Sequence, residues 1–259
     1  MCTPNSNIQG FNYAIQTLIK HPSQFLPHLT IPTFTHLPEQ NLGSHFQFQQ
    51  QQQQQQKSNT TNTSEKQEQN QQQQQQPTIT ALVLDKDNTL CPPKSTTFPP
   101  QIIKKISTLR NSPTSQFHID KNPNGILIVS NRAGSHPSFD NEVHSIESQL
   151  SGLSIPVFRL PVGARKKPFC GDQIIAWFRD RGVVRHPAQI AVVGDRLGTD
   201  VLMAADMGAW SVWCSEGVFG GEEGRRRRNL LERMEVWVER YLRVNKGLTA
   251  PAPAGWERC

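Results

Sequence analysis

No apolar run in the chain approaches the ~18 residues that a bilayer-spanning helix needs, so an integral membrane protein is not expected and a soluble or peripheral one is. The five cysteines (Cys2, Cys91, Cys170, Cys214, Cys259) are odd in number and scattered, with no Cys-x-x-Cys pair. A zinc ribbon or disulfide framework therefore has no support, and reduced thiols are expected. Acidic residues are missing before Glu39, which suits a matrix-targeting segment, but arginine is missing there too, which does not. No continuous apolar core precedes a small-residue cleavage site, which excludes an ordinary secretory signal. Apolar residues make up only 35% of the 259, so part of the chain is not expected to pack.

Positive charge is what the chain has in excess. A net +6 and a pI near 9.2 suit an anionic partner: phospholipid, nucleic acid or phosphorylated substrate. Four of the positives sit together at Arg225–Arg228. The apolar residues that follow (Leu230, Leu231, Met234, Trp237, Val238, Tyr241, Leu242) have helical spacing. Such a stretch reads as a membrane-surface helix led by its arginines, or as a C-terminal helix packed on the domain with a solvated basic turn. Nucleic-acid binding is not expected, because no aromatic platform or base-reading motif accompanies the arginines.

Composition divides the chain into four parts. Residues 1–38 carry Ile8, Phe11, Ile15 and Leu18 on one helical face, followed by a proline-rich stretch, 22–38, expected to be extended and without a core of its own. The helix suits either docking on the main domain or membrane contact. Residues 39–77 are dominated by glutamine and read as a disordered linker, since little there can be buried to offset ordering entropy. Residues 78–245 alternate strand and helix, and 246–259 read as a disordered tail. Within the third part, strands are expected at 79–84, 126–129, 155–160, 190–193 and 210–214. Helices are expected at 101–110, 141–151, 169–182 and 199–207. This alternation specifies a three-layer α/β fold around a parallel sheet.

The chemistry begins where the first strand stops, in Asp85-Lys86-Asp87-Asn88-Thr89-Leu90. Acids at the carboxyl end of a parallel strand lie where open α/β sheets bind ligands. Two carboxylates this close repel one another unless a cation or shared proton relieves them, and a hard ion such as Mg²⁺ is the natural partner. Considered alone, the pair is also compatible with an acidic solvated turn.

Three more stretches follow in order: Ile126-Leu127-Ile128-Val129-Ser130-Asn131, Lys166-Lys167-Pro168, and Ile190-Ala191-Val192-Val193-Gly194-Asp195-Arg196-Leu197-Gly198-Thr199-Asp200. With Asp-x-Asp-x-Thr-Leu they resemble the four motifs of the haloacid dehalogenase superfamily of phosphatases. Their wording (Asp-Lys-Asp-Asn-Thr, Ser-Asn-Arg-Ala-Gly, Lys-Lys-Pro, Gly-Asp-Arg-x-x-Thr-Asp) is similar to that of the mitochondrial phosphatidylglycerophosphatases, over about residues 78–245 with a shorter likeness near the N-terminus. Phe169 departs from the pattern, which leads one to expect a small residue there.

The resemblance implies a Rossmann-like sheet and a Mg²⁺-dependent phosphatase. It makes Asp85 the nucleophile of an aspartyl-phosphate mechanism and Asp87 the general acid and base, with its carbonyl oxygen on the metal. Ser130, Asn131 and Lys167 would hold the phosphate, with Arg132 a weaker candidate; Lys167 is favoured over Lys166 because it adjoins the proline. Asp195 and Asp200 would complete a metal site with Asp85 and Asp87. The implied substrate is a phospholipid, phosphatidylglycerophosphate, converted to the cardiolipin precursor phosphatidylglycerol at the matrix side of the inner mitochondrial membrane, with peripheral contact to anionic lipid. The alternatives are the same chemistry on a protein, nucleic-acid end or soluble phosphomonoester, and a catalytically dead membrane- or nucleic-acid-binding scaffold.

Spacing adds one expectation. The next helix starts within about ten residues of the first motif, and residues 132–166 already hold a helix and a strand. Neither gap can house a cap domain with its own core, which usually needs upward of about 40 residues. The site should lie open.

Overall fold

The computed structural model describes residues 6–46 and 76–258. Residues 47–75, most of the glutamine-rich linker expected over 39–77, lie outside them, as do Cys2 and Cys259. The linker's first residues, 39–46, are not disordered, because Leu42 and Phe46 are buried in the core beside the sheet.

Five strands form one parallel sheet in the order β1-β5-β4-β2-β3: β1 Leu29–Ile31, β2 Ala81–Asp85, β3 Ile126–Val129, β4 Ile190–Gly194 and β5 Trp210–Cys214. The four longer strands are buried along their whole length, which is why each reads as an unbroken apolar run. Alternate residues serve opposite faces. Leu82 and Leu84 join the core that includes Ile102 and Ile106 of helix α2 (Pro100–Asn111) and Val143 and Ile146 of α3 (Asp140–Gln149). Ala81 and Val83 face Ile174 and Phe178 of α4 (Gly171–Asp180) and Met203 and Met207 of α5 (Leu202–Met207). The result is the three-layer α/β architecture expected, and among the described residues no separate cap stands over the strand ends.

The N-terminal part departs from expectation. Residues 22–38 do not lie apart: β1 pairs in parallel with β5, Leu29 opposite Val212 and Ile31 opposite Cys214. Phe34 and Leu37 enter the same core as the sheet. Ahead of them, α1 (Ser6–Lys20) packs Tyr13, Ala14 and Leu18 against Phe25, Leu197, Leu202 and Trp213. It is therefore docked on the domain, yet Ile8, Phe11, Ile15 and Ile19 remain exposed.

Three further elements differ from the sequence reading. The strand expected over 155–160 contributes one bridge, Val157 to Ile128, because Pro156 has no N–H with which to extend the ladder. The arginine-led helix is two helices, α6 (Gly221–Arg227) and α7 (Leu230–Arg240). The break comes from a capping box: the Asn229 side chain accepts from the Glu232 N–H at 3.0 Å while Glu232 accepts from the Asn229 N–H at 3.1 Å. The arginines consequently end α6 instead of starting α7. Residues 246–258 are not a loose tail: the Pro251 carbonyl lies 2.9 Å from His28 Nε2, and Trp256 meets Trp210 edge to face with centroids 6.0 Å apart.

Candidate active site

Strand register assembles the site. Asp85 pairs with Val129 and Leu84 with Val193, so Ser130 and Asp195, each just beyond its own strand, arrive beside Asp85 at the carboxyl ends of the strands. Here the strand order also changes direction about β2, the position at which open α/β sheets form a crevice. The wide π-type turn Leu197–Val201 then folds Asp200 back onto the strand end.

Asp85, Asp195 and Asp200 are all buried and present carboxylate oxygens within 4.8 Å of one another. One buried cation answers them: Lys167 Nζ donates to Asp85 Oδ1 and to Asp200 Oδ1, the latter at 2.7 Å. Burial raises the Asp85 carboxyl to about 7; Lys167 opposes that rise, and Asp200 adds to it. Burial, with Asp85 and Asp200 alongside, raises Asp195 well above the ordinary carboxylate range. For Lys167 burial favours the neutral amine, but the combined pull of Asp200 and Asp85 outweighs it and its pKa rises. Three carboxylates against one ammonium leave the cluster short of positive charge, and hard oxygen donors at this separation suit a divalent ion of the Mg²⁺ type.

The other expected residues occupy the rim. The Asp87 carboxylate is turned out of the cluster: Oδ1 lies 2.9 Å from Lys86 Nζ and accepts from the Lys94 N–H at 2.8 Å. Its Oδ2 accepts from Ser130 Oγ at 3.3 Å. At 32% side-chain exposure, Asp87 is open to solvent while Asp85, at 8%, is largely covered. Asn131 Oδ1 accepts from the Lys167 N–H at 2.9 Å, so the second motif fixes the backbone of the third. Of Lys166 and Lys167, Lys167 is the buried one. Arg132 is committed elsewhere, pairing with Glu142 at 2.6 Å and lying over the Phe139 ring.

Several supports escaped the sequence reading. Asn88 adopts φ 60°, a conformation asparagine tolerates, and donates from Nδ2 to Asp195 Oδ2 at 2.8 Å. It follows directly on Asp87, three residues past Asp85, a position that spacing alone cannot aim at Asp195. Trp213 Nε1 donates to the Asp195 carbonyl at 2.8 Å. Glu235, buried on α7, accepts from Arg196 Nε at 3.0 Å and from the Gly198 N–H at 3.2 Å, holding the turn that carries Asp200. Phe169, the departure from the small-residue pattern, packs on Tyr13 of α1 with centroids 5.2 Å apart and lies under Arg165 at 4.2 Å.

Comparison with known proteins decides the family. A family model described as mitochondrial PGP phosphatase matches residues 8–219. The chain belongs to the mitochondrial PGP phosphatase family. Within it, the chain is 28% identical over 243 residues to the probable mitochondrial phosphatidylglycerophosphatase of Schizosaccharomyces pombe, covering 92% of this chain and 93% of the relative. It is 37% identical over 141 residues to the mitochondrial phosphatidylglycerophosphatase GEP4 of Saccharomyces cerevisiae, covering 54% of this chain and 69% of the relative. No solved structure matches. As a member of the PGP phosphatase family the protein is a phosphatase. The family match begins at residue 8, so all of β1 and all but the first two residues of α1 fall inside it, in keeping with their packing on the catalytic domain.

Proposed function

We propose that this phosphatase removes the terminal phosphate of phosphatidylglycerophosphate to give phosphatidylglycerol, acting as a peripheral protein at the matrix face of the inner mitochondrial membrane. The observation that carries the chemistry is the buried Asp85–Lys167–Asp200 arrangement with Asp195 beside it. The substrate is taken from the names of the two relatives. No helix among the described residues is long and apolar enough to cross a membrane, and peripheral attachment is compatible with that.

An Asp85 carboxylate oxygen attacks phosphorus, and the bond to the leaving alkoxide breaks as Asp87 supplies its proton. Asp87 then takes a proton from water, whose oxygen attacks the aspartyl-phosphate, releasing phosphate and restoring Asp85. Proton transfer of this kind contributes about 10²–10⁴-fold. The exposure of Asp87 suits this exchange, and its carboxylate can leave Ser130 when the leaving group arrives. Ser130 and Asn131 would donate to phosphoryl oxygens, and Lys167 would supply fixed positive charge against them. Asp85, Asp195 and Asp200, with the Asp87 carbonyl, would hold Mg²⁺, which when bound neutralises carboxylate and phosphate charge together.

The test is phosphate release from purified protein against a panel of phosphatidylglycerophosphate and soluble phosphomonoesters, with and without chelator. Asp85→Asn is nearly isosteric and should retain the fold by circular dichroism while losing turnover by at least about 10³-fold. Full activity in that variant, or activity indifferent to chelator, would sink the mechanism.

A further inference from the structure

Among the described residues, the exposed large apolar side chains are gathered, Val162 apart, on α1 and on α7 with its continuation through Val244. These two helices are far apart in sequence and side by side in the fold. Between them runs a cavity of about 480 Å³ whose walls are Phe11, Ile15 and Leu18 from α1 and Leu231, Met234 and Val238 from α7. Phe11, Ile15 and Met234 are 52%, 42% and 52% exposed, so the trough is open to solvent. Asn131 and Lys167 of the catalytic cluster line it as well. A second cavity of about 390 Å³ shares Leu18 and Val238 with the first and is lined also by Trp237 and Leu248.

We propose that this trough seats the acyl chains of the lipid whose phosphomonoester reacts at Asp85, an inference that rests on the phospholipid reading of the substrate. Three observations select that occupant. The trough is walled by apolar side chains of two helices, and contiguous exposed apolar surface of this kind is seldom left without a function. It is lined at one point by the lysine that holds Asp85, so one amphiphile can reach both regions. A cation stands beside the catalytic end of the trough: Arg196, held by Glu235, lines the same cavity as Lys167. A second copy of the chain laid over α1 and α7 would bury the apolar face but close the approach to Lys167. The close seating of α1 supports the geometry: a β-carbon at Gly10 would stand 3.6 Å from Pro168 Cδ, and one at Gly198 would stand 3.6 Å from the Ala14 β-carbon.

The experiment compares kcat/KM for monomeric dihexanoyl phosphatidylglycerophosphate and for glycerol phosphate, with Mg²⁺, in the full-length protein and in Ile15→Glu and Met234→Glu. Circular dichroism and melting confirm that each variant is folded. The wild type should favour the dihexanoyl lipid, and each variant should lower the ratio of the two kcat/KM values about tenfold or more, the scale on which apolar pockets discriminate. Ile15→Met should keep the ratio. Unchanged ratios in both glutamate variants, with the wild type active on the lipid, overturn the trough alone. A preference seen only with vesicles and absent for the monomeric lipid also overturns it, in favour of general membrane docking. So does a shift of the variants from oligomer to monomer in sedimentation with the ratio intact, which would assign the face to a second copy. A wild type that hydrolyses glycerol phosphate but no lipid overturns the substrate reading, and the trough with it.

Discussion

Gly194 and Asp200 are in contact in a way that forbids a side chain at position 194: a β-carbon there would lie 2.3 Å from Asp200 Cγ. The glycine that ends β4 therefore has a steric role in the site, leaving space for the carboxylate that the following turn folds back. Gly194→Ala should displace Asp200 and disturb its bond to Lys167. Overpacking of this kind costs about 1–3 kcal/mol. The expected outcome is a lower melting temperature together with a fall in kcat of about tenfold or more and a higher Mg²⁺ requirement. Wild-type Mg²⁺ dependence in the alanine variant would show that Asp200 is not a ligand.

The buried carboxylates predict a pH dependence that the metal should reverse. Asp85 titrates near 7 in the folded protein and near 4 when unfolded, so between these values the folded state holds a proton that the unfolded state has released. Metal-free protein should accordingly lose stability as pH rises from about 4 to about 7, by at most about 1.4 kcal/mol per pH unit for this one proton. Mg²⁺ binds the ionised carboxylates, so the gain in melting temperature on adding it should grow over the same interval. Melting curves at pH 5 and pH 8, with chelator or Mg²⁺, measure this directly. A Mg²⁺ increment that is the same at both values would count against the three-carboxylate site.

Glu235 is a positioning residue, since it acts on the carboxylate cluster through Arg196 and the backbone of the Leu197–Val201 turn. Glu235→Ala leaves a largely buried guanidinium and an N–H without their acceptor and frees the turn bearing Asp200. Activity should fall about tenfold and the Mg²⁺ needed for half-maximal rate should rise. Glu235→Gln keeps an oxygen for the Gly198 N–H and should restore part of both. Equal loss in the two variants, with unchanged Mg²⁺ dependence, would reduce Glu235 to a packing role.

Much of the sheet was legible because a strand buried on both faces must be apolar throughout. The runs at 126–129 and 210–214 coincide with β3 and β5, and those at 79–84 and 190–193 lie within two residues of β2 and β4. β1 was not legible. Leu29-Thr30-Ile31 lies among prolines with no periodicity of its own, and it becomes a strand only through its pairing with β5. The tail was misread for a similar reason: one tryptophan, Trp256, says nothing until Trp210 is beside it.

The sequence by itself determined which residues could do the chemistry, because acids, a lysine and a serine at the ends of apolar runs carry that meaning wherever the strands lie. Tertiary structure decided their grouping. Register set Asp85 beside Ser130 and Asp195, the Leu197–Val201 turn brought in Asp200, and the same local backbone turned the Asp87 carboxylate outward. It also decided that α1 and α7, each amphipathic in sequence, stand as the two walls of one trough. Periodicity reports which face of a helix is apolar; only packing reports what that face meets, since burial depends on partners contributed from elsewhere in the chain.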